Sequence, residues 1–147
     1  MLLPLLLASA AVWTLAVIAA PLLDASFIYA AAALVCHQIP ERTFQVAAGP
    51  VAVCARCLGL YVGGLAGLVA GGSWRIKAPH LTPAVARALL ALCAIPTVLT
   101  LAAEWIAGWP VGNMTRFLTA LPLGGGAALV VAAAIAAERR GAGARVM

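Results

Sequence analysis

Apolar residues in this chain form long runs, and charged residues interrupt these runs only near their ends. An α-helix needs roughly 20 apolar residues to cross the hydrocarbon core of a bilayer. Four runs approach that length, at about residues 2–23, 55–72, 85–103 and 117–137. The pattern predicts an all-α protein, an integral membrane four-helix bundle that forms a single transmembrane domain over residues 1–147.

A fifth apolar stretch, from Ser26 to Val35, is too short to cross a membrane, and Pro21 and Asp24 separate it from the first run. Apolar stretches of about 10–14 residues usually form re-entrant, interfacial or buried helices. We therefore expect a short extra helix of this kind, which folds back against the bundle before the Cys/His loop at residues 36–57. A secretory signal peptide is the alternative for the first run, although that run lacks a basic n-region.

The composition agrees with burial in lipid rather than in water. The chain is 65% hydrophobic and 9% charged, whereas soluble domains contain about 25% charged residues. Its net charge is +5, but the basic residues occur singly or in pairs between apolar runs. Nucleic-acid-binding proteins instead carry basic patches with interleaved aromatics. We therefore predict that the lipid bilayer is a partner and that nucleic acid is not.

The distribution of Lys and Arg between alternate loops predicts the orientation, because basic residues are enriched on the cytoplasmic side. Six basic residues fall on one side of the membrane and three on the other. This bias favours a multi-pass protein of the cell membrane with cytoplasmic N- and C-termini and an outward-facing Cys/His loop. The six are Arg75, Lys77, Arg87, Arg139, Arg140 and Arg145, and the three are Arg42, Arg56 and Arg116.

Glycines recur every four positions along the second apolar run, so they share one helix face. Such a face lets another helix approach closely within a membrane. We expect this stripe to pack against a helix, in the chain itself or in a homo-oligomer, and a smooth wall for a lipid or isoprenoid tail is the alternative. The stripe consists of Gly59, Gly63, Gly67 and Gly71.

The candidate chemistry is concentrated in the Cys/His loop, where four residues form a Cys3His ligand set of the kind that holds structural zinc. They are Cys36, His37, Cys54 and Cys57. The Cys54-x-x-Cys57 spacing lets both sulfurs face one ion. Cys36 and His37 can both reach that ion only beyond the end of a helix, and Pro40 forces such an end nearby. The leading prediction is a metal site, for zinc in particular, with a mainly structural role.

Thiol–disulfide chemistry is the first alternative. Cys54 and Cys57 stand at the start of the second span, where the helix dipole and Arg56 favour a thiolate. Four-helix quinone-linked thiol oxidases carry a CxxC in such a loop, but they normally have a second cysteine pair. The remaining cysteine, Cys93, lies within the third apolar run, where a free cysteine behaves as a small buried hydrophobe.

A second polar cluster lies at span ends on the same side as the loop. Glu104 can pair with Arg116, and Asn113 can cap the fourth span. Alternatively, the arginines bind an anionic lipid headgroup or phosphate, as in a small transporter or lipid-binding protein. The sequence does not decide whether the chain is an enzyme. The polar site consists of Glu41, Arg42, Arg56, Glu104, Asn113 and Arg116.

Short motifs of the loop resemble the DUF2085 family of predicted polytopic membrane proteins. They are Cys36-His37-Gln38, Pro40-Glu41-Arg42 and Cys54-Ala55-Arg56-Cys57, the last of which leads into the glycine-rich span. The resemblance continues to Thr119, with Glu104 where the family has Asp and Ala120 where it has Gly. It implies a membrane protein and assigns no activity.

Overall fold

The computed structural model describes residues 2–73 and 81–144, and these residues fold into α-helices with little strand. The helices are α1 (Leu2–Ala19), α2 (Ser26–Ala33), α3 (Ala55–Ser73), α4 (Pro83–Trp105) and α5 (Asn113–Ala144). A 3-10 turn at Pro40–Arg42 and an antiparallel pair of two-residue strands, β1 (Gln45–Val46) and β2 (Gly49–Pro50), lie between α2 and α3. The all-α prediction is confirmed.

Four of the described helices, α1, α3, α4 and α5, are long and apolar enough to cross a membrane. The chain is therefore a multi-pass membrane protein. α5 contains 32 residues, which at about 1.5 Å per residue gives a rod of roughly 48 Å. The hydrocarbon core is about 30 Å thick, so α5 extends beyond it.

The predicted short helix is α2, which buries Ile28 and Ala32. α1 ends at Ala19, before Pro21, rather than at the predicted Leu23. Asp24 then adopts a positive φ of 47°, and this turn redirects the chain into α2.

The glycine stripe of α3 packs against α5 of the same chain, in the most extensive helix–helix contact of the described residues. A Cβ added at Gly63 would overlap the carbonyl oxygen of Leu121, and one at Gly67 would overlap that of Gly125. This approach of backbone to backbone is possible only where side chains are absent. α5 therefore already covers the face that the predicted homo-oligomer would use.

α1 and α4 flank this central pair, with α1 against α3 and α4 against α5. Thr97 of α4 donates a hydrogen bond to the carbonyl oxygen of Thr119 in α5 at 2.7 Å. The outer faces of both flanking helices are apolar and exposed, at Leu15 in α1 and at Leu92 and Leu99 in α4. These faces suit contact with lipid.

A cluster of buried apolar side chains lies at the loop end of the bundle. It joins Val17 of α1, Ile28 of α2, Val53 of the loop and Leu58 of α3. The loop between α2 and α3 is therefore packed onto the helices, which gives its side chains defined positions.

The basic residues behind the orientation prediction are only partly described. Arg87 lies in α4, near its start. Arg75, Lys77 and Arg145 lie outside the described residues, as do the side chains of Arg139 and Arg140.

Candidate metal centre and adjoining arginine cavity

Hydrogen bonds fasten the loop between α2 and α3 to the helices around it. Gln38 Nε2 donates to the carbonyl oxygens of Tyr29 in α2 and Ala52 in the loop, both at 2.8 Å. Tyr29 Oη donates to the carbonyl oxygen of Pro50 at 2.6 Å, and the Ala52 N–H donates to that of Val17 in α1 at 3.1 Å. The end of α2 and the start of α3 are therefore held side by side.

This arrangement brings three cysteines together. The Sγ atoms of Cys36, Cys54 and Cys57 all lie within 4.8 Å of one another, with Cys36 buried and the other two partly buried. A tetrahedral zinc ion with Zn–S bonds of about 2.3 Å would hold its sulfurs about 3.8 Å apart. Small side-chain adjustments would therefore let the three sulfurs share one ion. None of the four cysteines forms a disulfide in this structure.

Hydrogen bonds also connect the three cysteines with one another. The backbone N–H of Cys54 donates to Cys36 Sγ at 3.2 Å. A hydrogen bond from the Cys57 thiol lowers the pKa of the Cys54 thiol to about 5. The thiolate is the form of cysteine that binds metals and attacks disulfides, so the cluster suits either chemistry.

The ring nitrogens of His37 do not lie close enough to the three sulfurs to complete a four-ligand cluster in this structure. Its side chain is exposed and lines the same cavity as the cysteines. α2 ends three residues before Cys36, so both neighbours lie beyond the helix, as joint ligation would require. Cys93 lies apart in α4, where it packs against Gly126 of α5.

Glu104 of α4 accepts hydrogen bonds from arginines of two other helices. Arg56 of α3 donates through Nη2 to Oε2 at 2.9 Å, and Arg116 of α5 donates through Nε to Oε1 at 2.6 Å. Only 5% of the Glu104 side chain is exposed, against 15% for Arg56 and 12% for Arg116. Since Arg56 stands between Cys54 and Cys57, this ion network begins within the CxxC motif.

The Asn113 side chain connects α5 to the loop and does not cap α5 as predicted. Its Nδ2 donates to the carbonyl oxygens of Glu41 at 3.2 Å and Thr43 at 3.1 Å. Its Oδ1 accepts a hydrogen bond from Arg116 Nη1 at 2.7 Å. Glu41 thus contributes its backbone to this network, whereas its side chain is exposed.

A cavity of about 400 Å³ adjoins both the cysteines and the arginines. Its polar wall is formed by the three clustered cysteines, His37, Gln38 and three arginines. Its apolar wall comes from the loop, α3 and the end of α4. The arginines are Arg42, Arg56 and Arg116, and the apolar residues are Val35, Ile39, Leu60 and Trp105.

The motifs that surround this cavity lie within the segment that matches a known family. Residues 36–130 match the family of predicted membrane proteins DUF2085, and this segment contains both polar clusters. The chain belongs to the DUF2085 family. The predicted resemblance is therefore confirmed.

Two archaeal proteins are similar to this DUF2085 chain. An uncharacterised protein of Methanocaldococcus jannaschii is 48% identical over 42 residues, which cover 29% of this chain and 27% of that protein. An uncharacterised protein of Methanothermobacter thermautotrophicus is 32% identical over 96 residues, which cover 65% of this chain and 83% of that protein. The chain thus spans about a quarter of the length of the first relative. No solved structure matches it.

Gln38 and Tyr29 position the site, although neither was a predicted site residue. Gln38 directly follows His37 in the Cys-His-Gln motif. Its position next to two predicted ligands is the sequence feature that could have identified it as a site residue. Tyr29 lies in an alanine-rich helix and bonds to Pro50, 21 residues further along the chain. A contact over that distance leaves no local pattern in the sequence.

Proposed function

We propose that this DUF2085 protein holds a metal ion, preferably zinc, with Cys36, Cys54 and Cys57, and that the ion has a mainly structural role. The mutual approach of the three sulfurs to within 4.8 Å carries this proposal. Cys36 is 18 residues from Cys54, so the folded loop is needed to bring them together. Soft thiolate ligands favour zinc over the hard cations Mg²⁺ and Ca²⁺.

His37 is the proposed fourth ligand. Structural zinc sites are almost always four-coordinate, and Cys3His is a common ligand set. His37 follows Cys36 directly and lines the same cavity, which supports this assignment. A zinc ion bound there would join the segment after α2 to the start of α3, at the place where Gln38 already connects them by hydrogen bonds.

The metal content of the purified protein tests the proposal. We would purify the full chain in detergent, without added reductant and under anaerobic conditions, and measure metals by mass spectrometry. About one zinc ion per chain is expected in the wild type. Ser substitution of any clustered cysteine should remove most of it, because the ligand set then falls to two sulfurs. His37→Ala should weaken zinc binding, while the thiolate-to-metal absorption of a cobalt-substituted sample persists.

Cys93→Ser provides the matched control, since it removes a thiol from α4 outside the cluster. This variant should keep the full zinc content. A chelator should lower the unfolding temperature of the wild type and of Cys93→Ser, because the binding free energy of a structural metal contributes to folding. It should have little effect on Cys54→Ser. Wild-type protein with no metal and a disulfide among the three clustered cysteines would contradict the proposal.

Thiol–disulfide exchange by Cys54 and Cys57 is the second candidate, favoured by the hydrogen bond between their thiols. It makes a different prediction for the same variant. A redox protein should lose exchange with a small dithiol on Cys54→Ser while it keeps its unfolding temperature. A structural metal site should lose stability instead.

A further inference from the structure

The cavity beside the cysteines carries positive charge that metal binding does not explain. Arg42, Arg56 and Arg116 line it, and its described lining contains no carboxylate. Glu104 pairs with Arg56 and Arg116, but one carboxylate balances only one of the three guanidinium charges. A zinc ion on three thiolates would add a single negative charge, so the combined charge stays positive with or without the metal.

Arg42 is the cation with no partner in the described part of the chain. Its guanidinium forms no ion pair and no hydrogen bond with any other described residue. Its side chain is half-buried and lines the cavity. A cation that is partly withdrawn from water favours an anionic partner, and the cavity is the space into which such a partner fits.

Arg56 provides a second, independent observation that favours an anionic ligand in this cavity. Its Nε is buried and has no hydrogen-bond acceptor among the described residues, although its Nη2 is bound to Glu104. A buried donor without an acceptor costs free energy. α3 begins at Ala55, so the positive end of its helix dipole lies at the same place.

The apolar part of the lining indicates the depth of the cavity in the membrane. Trp105 lines the cavity and is 77% exposed at the end of α4, and Trp109 follows with 69% exposure. Tryptophan is enriched at the level of the lipid headgroups. Val35, also in the lining, is 66% exposed. The cavity therefore combines cationic and apolar walls at the depth of phospholipid phosphates.

We propose that this cavity binds a phosphate-bearing anion, which Arg42 contacts directly and the start of α3 stabilises. Guanidinium groups bind phosphate through paired charge-assisted hydrogen bonds. The apolar wall suits the glycerol and first acyl carbons of a phospholipid, while the cationic wall alone suits inorganic phosphate. The site requires no metal, so its failure would not affect the metal proposal.

Binding by the full chain in neutral detergent tests this site with two probes. Native mass spectrometry measures binding of dioleoylphosphatidylglycerol against dioleoylphosphatidylcholine, and equilibrium dialysis measures binding of radiolabelled inorganic phosphate. Arg42→Ala should weaken binding of the preferred probe about tenfold, the loss expected for one charge-assisted contact. Arg42→Lys should recover part of the lost binding, since lysine restores the positive charge but lacks the planar guanidinium group that forms paired hydrogen bonds with phosphate.

Arg87→Ala is the matched control, because Arg87 is exposed and lies 18 residues before Trp105, roughly 27 Å away along α4. It should bind as the wild type does. Selective binding of phosphatidylglycerol would identify a lipid headgroup site, and binding of inorganic phosphate alone would identify a free phosphate site. Binding of neither probe, or equal binding by the wild type and Arg42→Ala, would overturn the proposal.

Discussion

Glu104 accepts hydrogen bonds from Arg56 and Arg116, and these three side chains come from three different helices. Their burial means that each charge depends on the others for its stability. Arg56 also donates to Thr100 Oγ1 at 3.4 Å, so the network reaches a second residue of α4. At the residue scale, this carboxylate links the CxxC segment to α4.

Glu104→Gln should therefore destabilise the protein strongly. It leaves two buried guanidinium groups without a counter-charge, and removal of one partner from a buried ion pair costs about 3–5 kcal/mol. Thermal unfolding in detergent, followed by circular dichroism, checks this. Glu104→Asp keeps the charge and should lose less. Glu138→Gln, at an exposed position of α5, is the control, and an equal shift for both Gln variants would contradict the interpretation.

The sequence predicted which residues form this site better than it predicted the contacts between them. The CxxC spacing and the paired Cys-His motif were enough to predict that Cys36, Cys54 and Cys57 meet. The pairing of Glu104 with Arg116, 12 residues apart, was also predicted. Arg56, 48 residues from Glu104, was not, because contacts between distant helices depend on how the helices pack rather than on any local pattern.

At the scale of elements, the helices were predictable because each long apolar run satisfies the length that a bilayer requires. The hairpin of β1 and β2 was not predicted, since two-residue strands are too short to show an alternating pattern. The choice of partner for the glycine stripe was also open in the sequence. Such a stripe indicates that another helix packs closely against it, but it does not identify that helix or the chain to which the helix belongs.

The contact of α3 with α5 leads to a prediction for two adjacent glycines. Gly63→Ala should destabilise the protein by about 1–3 kcal/mol, as overpacking of a tight contact does, because its Cβ would overlap the backbone of Leu121. Gly64→Ala is the control. Its Cβ would lie 3.8 Å from the carbonyl oxygen of Gly124, an ordinary contact. Unfolding temperatures in one detergent compare the two, and equal stability of both variants would argue against this packing.

At the scale of the whole molecule, the positive-inside rule leaves three arginines on the side that we predict to be outside. Each of these arginines has a specific place in the structure on that side. Arg56 and Arg116 are held by Glu104, and Arg42 lines the proposed anion site. Their presence therefore does not argue against an outward-facing loop.

Reporter fusions should establish this orientation. Alkaline phosphatase needs disulfides that form only in oxidising compartments, so it should be active when inserted between β1 and β2 and inactive when fused after Met147. The opposite pattern would contradict the orientation.

The result also bears on the cysteines. An outward loop exposes three neighbouring thiols to oxidation, and a bound metal would protect them. A cytoplasmic loop would keep them reduced without a metal, and its free thiols would then say little about zinc.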